Sequence, residues 1–198
     1  EALEDDALAT DERTRYLREI QQEVDHMAEL VSSLLVLARI DEGRHKRNGS
    51  VTDTASTLHD IARYWRITAK QAGLACDSQI PSDLPDLPLT PNDLRQVLDN
   101  LLGNAIKYTA EGEVSLVVEQ RPGQVIMRVH DTGIGFTPVQ KTQLFTRFYR
   151  SEQARGDFDG NGLGLSIVQA ILQQYGASIT SASDGIGKGA TFTVAVPI

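Results

Sequence analysis

The sequence has little of several features that would place it in particular protein classes. It contains one cysteine, Cys76, among 198 residues, so no disulfide can form within the chain and a reducing compartment is expected. Its apolar runs are short, because the densest of them, Leu34–Ala38, is far below the roughly 18 to 20 residues that cross a bilayer. Neither a starting methionine nor a secretory signal is present, and we expect the chain to be part of a longer protein.

Basic residues are also scarce. The chain has 19 Lys and Arg residues against 27 Asp and Glu residues, and its formal net charge is -8. A nucleic-acid surface needs clustered Lys and Arg. The one such cluster, Arg44–Arg47, is short and is interpreted as a solvated linker. No nucleic-acid partner is therefore expected.

What the sequence does contain is an ordered set of four short segments. They are NLLGNAIKYT at Asn100–Thr109, DTGIG at Asp131–Gly135, GNGLGL at Gly160–Leu165 and GKGATF at Gly187–Phe192. A single glycine pair is typical of a turn. A helix that carries amide side chains, followed by three glycine clusters of which one begins with aspartate, predicts a pocket for a polyphosphate nucleotide.

The N-terminal part predicts a helix with a narrow apolar seam. The seam residues alternate in steps of three and four: Leu17, Ile20, Val24, Met27, Val31, Leu34 and Ala38. This spacing favours an antiparallel or intermolecular helix bundle, and an amphipathic helix packed on its own domain is the alternative. Thr10 and Asp11 are N-cap candidates, so residues 1–42 are expected to form a helical hairpin that lacks most of its first arm. Residues 43–50 are the expected linker.

Residues 51–198 predict one α+β domain. Helical periodicity covers residues 54–72, 92–109 and 163–175, and strand patterns cover residues 114–118, 125–129, 177–181 and 191–196. Pro122 and Gly123 predict the turn of a hairpin between the first two strands. The proline-spaced residues 80–91 indicate a loop or an edge strand. The expected architecture is a mixed sheet with helices on one face.

Two asparagines of the first segment are candidate ligands for a metal and a nucleotide. Asn100 and Asn104 are one helical turn apart, so they lie on the same side of a helix whose other side is apolar. A carboxamide oxygen suits a Mg²⁺ ion that keeps most of its shell from phosphates and water. Lys107 can meet a phosphate and Tyr108 can border a base or sugar. The alternative is that the asparagines are ordinary helix-surface residues.

Asp131 is the candidate for recognition of the base. It ends a predicted strand at the turn Thr132–Gly135, where its carboxylate can accept a hydrogen bond from an exocyclic amine such as adenine offers. An Asx turn that only caps the loop is the alternative.

The later glycine clusters predict a phosphate site and a lid. The cluster Gly160–Leu165 runs into a predicted helix, whose first backbone amides can bind an anion. The long connection of residues 136–159 is interpreted as a mobile lid with aromatic anchors, from which Arg147 and Arg150 can reach phosphates. Thr191 is expected to finish the pocket with its hydroxyl, and a tight turn that enters a strand is the alternative for this last cluster.

The four segments resemble the N box, the glycine boxes and the phenylalanine box of the catalytic ATP-binding domain of sensor histidine kinases, within the GHKL superfamily. The resemblance covers residues 51–198, and the helix that ends at Leu34–Asp41 is similar to the second helix of that family's dimerisation and phosphoacceptor domain. The resemblance implies a two-layer α/β sandwich of the Bergerat type. It also implies ATP and Mg²⁺ as ligands, with Asn104 on the metal and Asp131 on adenine.

The resemblance and the residue patterns together give a set of candidate site residues. Asn104, Lys107 and Arg150 are the candidate catalytic residues, and Asn104 is the candidate metal ligand. The candidate nucleotide-binding residues are Asn100, Asn104, Lys107, Tyr108, Asp131, Gly133, Gly135, Arg147, Gly160, Gly162, Leu163, Gly164, Leu165 and Thr191.

One departure from the family pattern concerns the phosphoacceptor histidine. The family places it in the first hairpin helix, before an acidic residue, and none of the four histidines, His26, His45, His59 and His130, matches that motif. We therefore expect this chain to bind ATP and to lack the histidine that it phosphorylates.

The choice of reaction depends on Asn100. The ATPases of the superfamily carry a glutamate one turn before the metal-binding asparagine to activate water, and an amide in that place cannot accept a proton. Transfer of the γ-phosphoryl to a histidine is therefore expected, followed by relay to an aspartate of a response-regulator receiver domain. The alternatives are a non-catalytic nucleotide-binding and dimerisation module and an anti-sigma-type serine kinase.

The resemblance also implies an assembly and a location. It implies a homodimer that forms through the N-terminal helices. The chain is expected to be the cytoplasmic portion of a sensor that reaches a membrane only through regions outside this sequence.

Overall fold

The computed structural model describes residues 2–41, 53–151 and 160–198, so the expected linker and part of the expected lid lie outside the described residues. Five helices and five strands are described in these ranges: α1 Ala2–Asp41, α2 Thr54–Gln71, β1 Ala75–Gln79, α3 Pro91–Lys107, β2 Glu113–Arg121, β3 Gln124–Asp131, α4 Pro138–Lys141, α5 Gly164–Gln174, β4 Ser178–Ala182 and β5 Ala190–Pro197. Within them, no helix has an apolar stretch long enough to span a bilayer.

The strands form one mixed sheet in the order β1-β2-β3-β5-β4. β1 runs parallel to β2, and every other neighbouring pair is antiparallel. The predicted hairpin is present, with Val114 paired to Asp131 and Arg121 paired to Gln124 across the Pro122–Gly123 turn. The expected α+β class with a mixed sheet is confirmed.

The core lies between one face of this sheet and helices α2, α3 and α5. Along β3 and β5, alternate residues point into it, and these are Val125, Met127, Val129, Ala190, Phe192, Val194 and Val196. The apolar stripe predicted for α3 is buried, from Leu94 to Ala105, with no member more than 3 % exposed. Thr90 caps the start of α3 and Pro91 occupies its first turn, which fixes where the helix begins.

Strand β1 is a difference from the sequence prediction, which placed the only candidate edge strand within residues 80–91. The residues of β1, ACDSQ, alternate between exposed and half-buried and carry no apolar pattern. The strand forms because its backbone pairs in parallel with β2, from Ala75–Glu113 to Gln79–Val117. A strand that is held by backbone pairing at the edge of a sheet does not need a pattern of apolar side chains, so the sequence does not predict it.

Helix α1 differs from its prediction in two respects. It runs without a break through Thr10 and Asp11, so the expected N-cap there is wrong. The face that packs on the domain is also not the predicted seam: Leu37 is 2 % exposed against the core, with Leu30 half-buried beside it. The seam residues from Leu17 to Leu34 remain 46–59 % exposed. The helix therefore has two apolar faces, of which one is used by its own domain.

A group of buried hydrogen bonds joins helices α3 and α5 near the N-terminus of α3. The Tyr175 hydroxyl donates to Asp93 Oδ2 at 2.5 Å, and the Thr90 hydroxyl donates to the same oxygen at 2.6 Å. Burial, together with the hydrogen bond to Asp93, raises the pKa of Tyr175 to about 12. The group ties the C-terminal end of α5 to the first turn of α3.

We expect Tyr175→Phe to lower the free energy of unfolding by about 1.5 to 3 kcal/mol, because a hydrogen bond to a charged acceptor is lost in the interior. The native phenol keeps its proton above the unfolded value of 10, so the wild type should lose more stability than the variant between pH 10 and 12. Urea unfolding at pH 8, 10 and 11 measures both effects. Equal stability of the two proteins at pH 8 would contradict the assignment.

Candidate functional site

A cavity lies where α3, residues 136–151, the start of α5, the end of β3 and the start of β5 meet. Counting its open mouth, its volume is about 1120 Å³. Eleven of the sequence-predicted residues line it: Asn100, Asn104, Lys107, Tyr108, Asp131, Gly135, Arg150, Gly160, Gly162, Gly164 and Leu165. With Ala190 and Phe192 of the fourth segment, which also line it, all four segments reach the same cavity.

The two asparagines on α3 differ in what they bind. Asn100 Nδ2 donates to the carbonyl oxygen of Gln96 at 2.8 Å, and Asn100 Oδ1 lies so close to Gly164 that a Cβ there would be 2.6 Å away. Asn100 thus holds α3 against the start of α5. Asn104 is half-buried in the cavity wall, and no described residue hydrogen-bonds to its carboxamide. Its oxygen remains available to a ligand.

Lys107 and Tyr108 lie where α3 ends. Lys107 Nζ is 2.5 Å from where a Cβ of Gly160 would be, so it reaches the glycine-rich segment, and it lies 5.2 Å from the centre of the Tyr108 ring. Burial raises the pKa of Tyr108, and the positive charge of Arg150 opposes that rise. A lysine, an arginine and a phenol therefore share one region of the cavity wall.

Asp131 is a buried carboxylate in the cavity wall, with 4 % of its surface exposed. Its Oδ1 accepts the backbone N–H of Gly133 at 2.9 Å and that of Ala190 at 3.2 Å. Among the described residues, no donor is bonded to Oδ2. Burial raises the pKa of Asp131, and the two backbone N–H groups oppose that rise. The Asx turn is therefore present, and it occupies one of the two carboxylate oxygens.

The start of α5 contributes backbone to the cavity. No side chain caps this helix, whose first residues Gly164 and Leu165 line the cavity. Gly162 has a φ of +69°, and a Cβ on it would lie 2.8 Å from the backbone of Phe148 and Tyr149. The Phe148 N–H donates to the Gly162 carbonyl at 3.0 Å. The backbone of Phe148 and Tyr149 thus packs directly on this glycine.

Four predicted residues lie outside the cavity wall. Gly133 packs behind it, against the carbonyl of Tyr108, and Leu163 is fully buried in the core. Arg147 is exposed and does not line the cavity. Thr191 is on the other face of β5, where its Oγ1 is 3.0 Å from Nδ1 of His130. The expectation that its hydroxyl finishes the pocket is wrong, because side chains alternate along a strand and its neighbours Ala190 and Phe192 face the cavity instead.

Several lining residues were not predicted from the sequence. They are Ser33, Ala105, Ile134, Phe136, Gln140, Leu144, Tyr149, Ser151, Asn161, Ala190 and Phe192. Most lie within two residues of a predicted one, so the segments themselves signalled them. Ser33 is different: it comes from α1, and its place in the wall follows from the packing of Leu37 on the domain. No local pattern indicates that contact.

Comparison with known proteins identifies the family. Residues 90–198 match the model of the family described as histidine kinase-, DNA gyrase B- and HSP90-like ATPase. The chain belongs to this ATPase family. The match begins at Thr90, the cap of α3, so it contains every element that lines the cavity except α1.

Several proteins that are similar to the chain are sensor histidine kinases. It is 32 % identical over 95 % of its length to the circadian input-output histidine kinase CikA of Synechococcus elongatus, and 27 % identical over 96 % to the aerobic respiration control sensor protein ArcB of Escherichia coli. It spans 25 % of the length of each. The structure of full-length ShkA in complex with AMPPNP superposes on this chain with a TM-score of 0.80 and 29 % identity. The matched region covers 94 % of this chain and 39 % of ShkA. The resemblance stated from the sequence is confirmed.

Proposed function

We propose that the cavity binds ATP and that this chain is the ATP-binding part of a sensor histidine kinase. The observation that supports this most is a set of groups in one cavity wall. They are the buried carboxylate of Asp131, the carboxamide of Asn104, Lys107 and the start of α5. Within the described part of the chain, nothing donates to Asp131 Oδ2, nothing hydrogen-bonds to the Asn104 carboxamide, and no side chain caps α5. The carboxylate suits the amine of adenine, and the helix start suits phosphate. ShkA, which shares the fold, was crystallised with an ATP analogue.

Mg²⁺ fits the same wall. Among the described residues no group of three or more His, Cys, Asp or Glu side chains can hold a metal, and Asn104 offers a neutral oxygen ligand in the cavity wall. A Mg²⁺ ion bound through one protein oxygen takes its other ligands from phosphates and water. When bound, the ion neutralises charge that develops on the phosphates. Lys107 and Arg150 would supply further positive charge.

The residues of the cavity wall favour transfer of the γ-phosphoryl group over hydrolysis of ATP. Asp99 is the carboxylate nearest along α3 to Asn104, the proposed metal ligand. It accepts the indole N–H of Trp65 at 2.7 Å and does not line the cavity. Asn100 occupies the place one turn before Asn104, and a neutral amide takes no proton from water. The proposed reaction therefore breaks the bond between the γ-phosphorus and its bridging oxygen, forms a phosphorus–nitrogen bond to an imidazole, and releases ADP.

The acceptor imidazole is proposed to come from elsewhere in the full protein, upstream of this chain. His59 is exposed on α2 and His130 is on the face of the sheet away from the cavity, so neither described side chain faces the nucleotide site. We propose that the phosphoryl then passes to a receiver-domain aspartate. The exposed seam of α1 is the proposed dimer interface, and a membrane anchor is proposed to lie outside this sequence.

Asn104→Ala is expected to remove the magnesium dependence of ATP binding. The wild type should bind ATP more tightly with Mg²⁺ than with a chelator, by about tenfold for one charge-assisted contact. In the variant the two affinities should agree within about twofold. Titration calorimetry with and without Mg²⁺ measures both, and Asn92→Ala, an exposed amide on the same helix, is the control. An undiminished Mg²⁺ effect in Asn104→Ala would contradict the metal assignment.

Phosphoryl transfer is tested by mixing the chain with a helical-hairpin domain that carries a histidine in the family's acceptor motif. With γ-labelled ATP, label should appear on the hairpin and should be lost in acid. Transfer of acid-stable label would indicate a hydroxyl acceptor and a serine kinase. Binding of ATP without any transfer would favour the non-catalytic module.

A further inference from the structure

Ser183 lies behind the cavity wall, in the loop between β4 and β5. Its hydroxyl oxygen accepts the backbone N–H of Phe136 at 3.1 Å, and the hydroxyl donates to the carbonyl oxygen of Gly189 at 2.6 Å. It also accepts the N–H of Gly185 at 3.2 Å, which closes a local turn. Ser183 itself does not line the cavity. One half-buried hydroxyl therefore joins two chain segments that are far apart in sequence.

The two segments joined by Ser183 are those that hold Asp131. One is the stretch of residues 133–136 that follows Asp131, and the other leads through Gly189 to Ala190, whose N–H donates to Asp131 Oδ1. Backbone bonds run between them, from Gly187 N–H to the Ile134 carbonyl at 2.7 Å and from Gly189 N–H to the Gly133 carbonyl at 3.0 Å. The orientation of the Asp131 carboxylate depends on the spacing of these segments.

Gly135 shows how closely the segments fit. Its φ is +61°, and a Cβ on it would lie 2.8 Å from Ser183 Oγ and 2.9 Å from the Gly189 carbonyl, with the Gly185 carbonyl closer still. No side chain fits between the loop and the cavity wall at this point. The hydroxyl thus fills the space behind Gly135 and Phe136, both of which line the cavity.

A purely local role for Ser183 explains only its two contacts with Gly185, to the N–H and to the carbonyl oxygen, both at 3.2 Å. A serine that stabilises a turn bonds to a backbone group two residues on, as the Gly185 contact does. The bond to Phe136 spans 47 residues, and the bond to Gly189 crosses the whole loop. These two contacts connect Ser183 to both segments that bond to Asp131.

We propose that Ser183 is a positioning residue for recognition of the base: it holds the walls around Asp131 so that Oδ2, to which no residue in the described ranges donates, faces an exocyclic amine. This inference rests on the proposed function, because it needs a purine in the cavity. Loosening the two segments should let the carboxylate rotate, and it should affect an amine-bearing base more than one with a carbonyl in that place. The consequence is a change in the ratio of ATP to GTP affinity.

The test compares Ser183→Ala, Ser183→Thr and the wild type by displacement of a ribose-labelled fluorescent ATP with ATP and with GTP. In Ser183→Ala we expect ATP to bind about tenfold more weakly, with less than a twofold change for GTP. Ser183→Thr keeps the hydroxyl and should restore the ratio of the two affinities to within about twofold. Thr54→Ala is the control, because it deletes a buried hydroxyl that accepts the Leu87 N–H at a site away from the cavity.

Equal weakening of ATP and GTP in Ser183→Ala, or an unchanged ATP affinity, would overturn the inference. So would a loss of ATP affinity in Thr54→Ala as large as that in Ser183→Ala. If the wild type binds ATP and Ser183→Ala has the same ratio of ATP to GTP affinity, this inference alone is refuted. If the wild type binds no ATP, both this inference and the proposed function are refuted. If Ser183→Ala does not fold, Ser183→Cys is measured by the same criteria, since its thiol is a weak hydrogen-bonding group of similar shape.

Discussion

Asp131→Asn is expected to weaken ATP binding by about ten- to a hundredfold while leaving the free domain at least as stable as the wild type. The loss corresponds to roughly 1.5 to 3 kcal/mol for a hydrogen bond to a charged group. The amide oxygen can still accept the N–H groups of Gly133 and Ala190, so the amide nitrogen must take the place of Oδ2. A donor then faces the amine of adenine, which is also a donor.

The stability of Asp131→Asn follows from the pKa of Asp131. Because burial raises this pKa above the ordinary 3.8, the folded domain holds a proton at pH values where the unfolded chain has released it. The charge of Asp131 therefore costs stability at pH 7, and the wild type recovers that cost as pH falls toward 3.8. The stability advantage of Asp131→Asn should be largest near pH 7 and should shrink toward pH 4.

Titration calorimetry with ATP and urea unfolding at several pH values measure the two effects of Asp131→Asn. Asp184→Asn is a matched control, because it removes the same charge from an exposed position in the β4–β5 loop. It should change neither affinity nor stability noticeably. If Asp131→Asn bound ATP with wild-type affinity, Asp131 would be only a loop-capping residue.

Gly162→Ala is expected to weaken ATP binding at least tenfold without unfolding the sheet. A side chain at a φ of +69° costs about 1 to 2 kcal/mol. In addition, the new Cβ would press on the backbone of Phe148 and Tyr149 at 2.8 Å. The segment of residues 148–150 must then move. This segment includes Tyr149 and Arg150, which line the cavity. The affinity of ATP in displacement assays and the thermal midpoint measure the two consequences.

Gly176→Ala separates the effect of backbone strain from the effect of moving residues 148–150. Gly176 has nearly the same backbone conformation, with a φ of +65°, but nothing lies within 4 Å of a Cβ placed there. It should therefore lose stability by the strain alone and bind ATP normally. If Gly162→Ala changed ATP affinity no more than Gly176→Ala does, the packing of Phe148 and Tyr149 on Gly162 would have no part in binding.

Local pattern was enough to predict the elements whose side chains decide their structure. Helix α3 is predicted from its apolar stripe alone, and in the structure a cap at Thr90 and a proline in the first turn mark its start one residue before the predicted one. The β2–β3 hairpin alternates apolar and polar residues about a Pro–Gly turn, which fixes both register and class. Asp131, Asn104 and Lys107 could be selected because their residue types, at those distances from glycine clusters, are typical of nucleotide chemistry.

The remaining features depend on contacts between distant parts of the chain. Thr191 was assigned to the cavity because the register of β5 was unknown, and a shift of one residue along a strand changes the face. Ser33 reaches the cavity only because Leu37 packs on the domain, although the stronger apolar pattern on α1 lies on another face. Ser183 was not selected because its partners, Phe136 and Gly189, become neighbours only when the sheet is assembled.

The most direct test of the proposed function is a calorimetric titration of the purified chain with ATP, in the presence of Mg²⁺ and at up to millimolar concentration. Saturable binding at one site per chain, weakened in Asp131→Asn and unchanged in Asp184→Asn, is the result that we predict. The absence of saturable heat at millimolar ATP would contradict the proposal that this cavity is a nucleotide site.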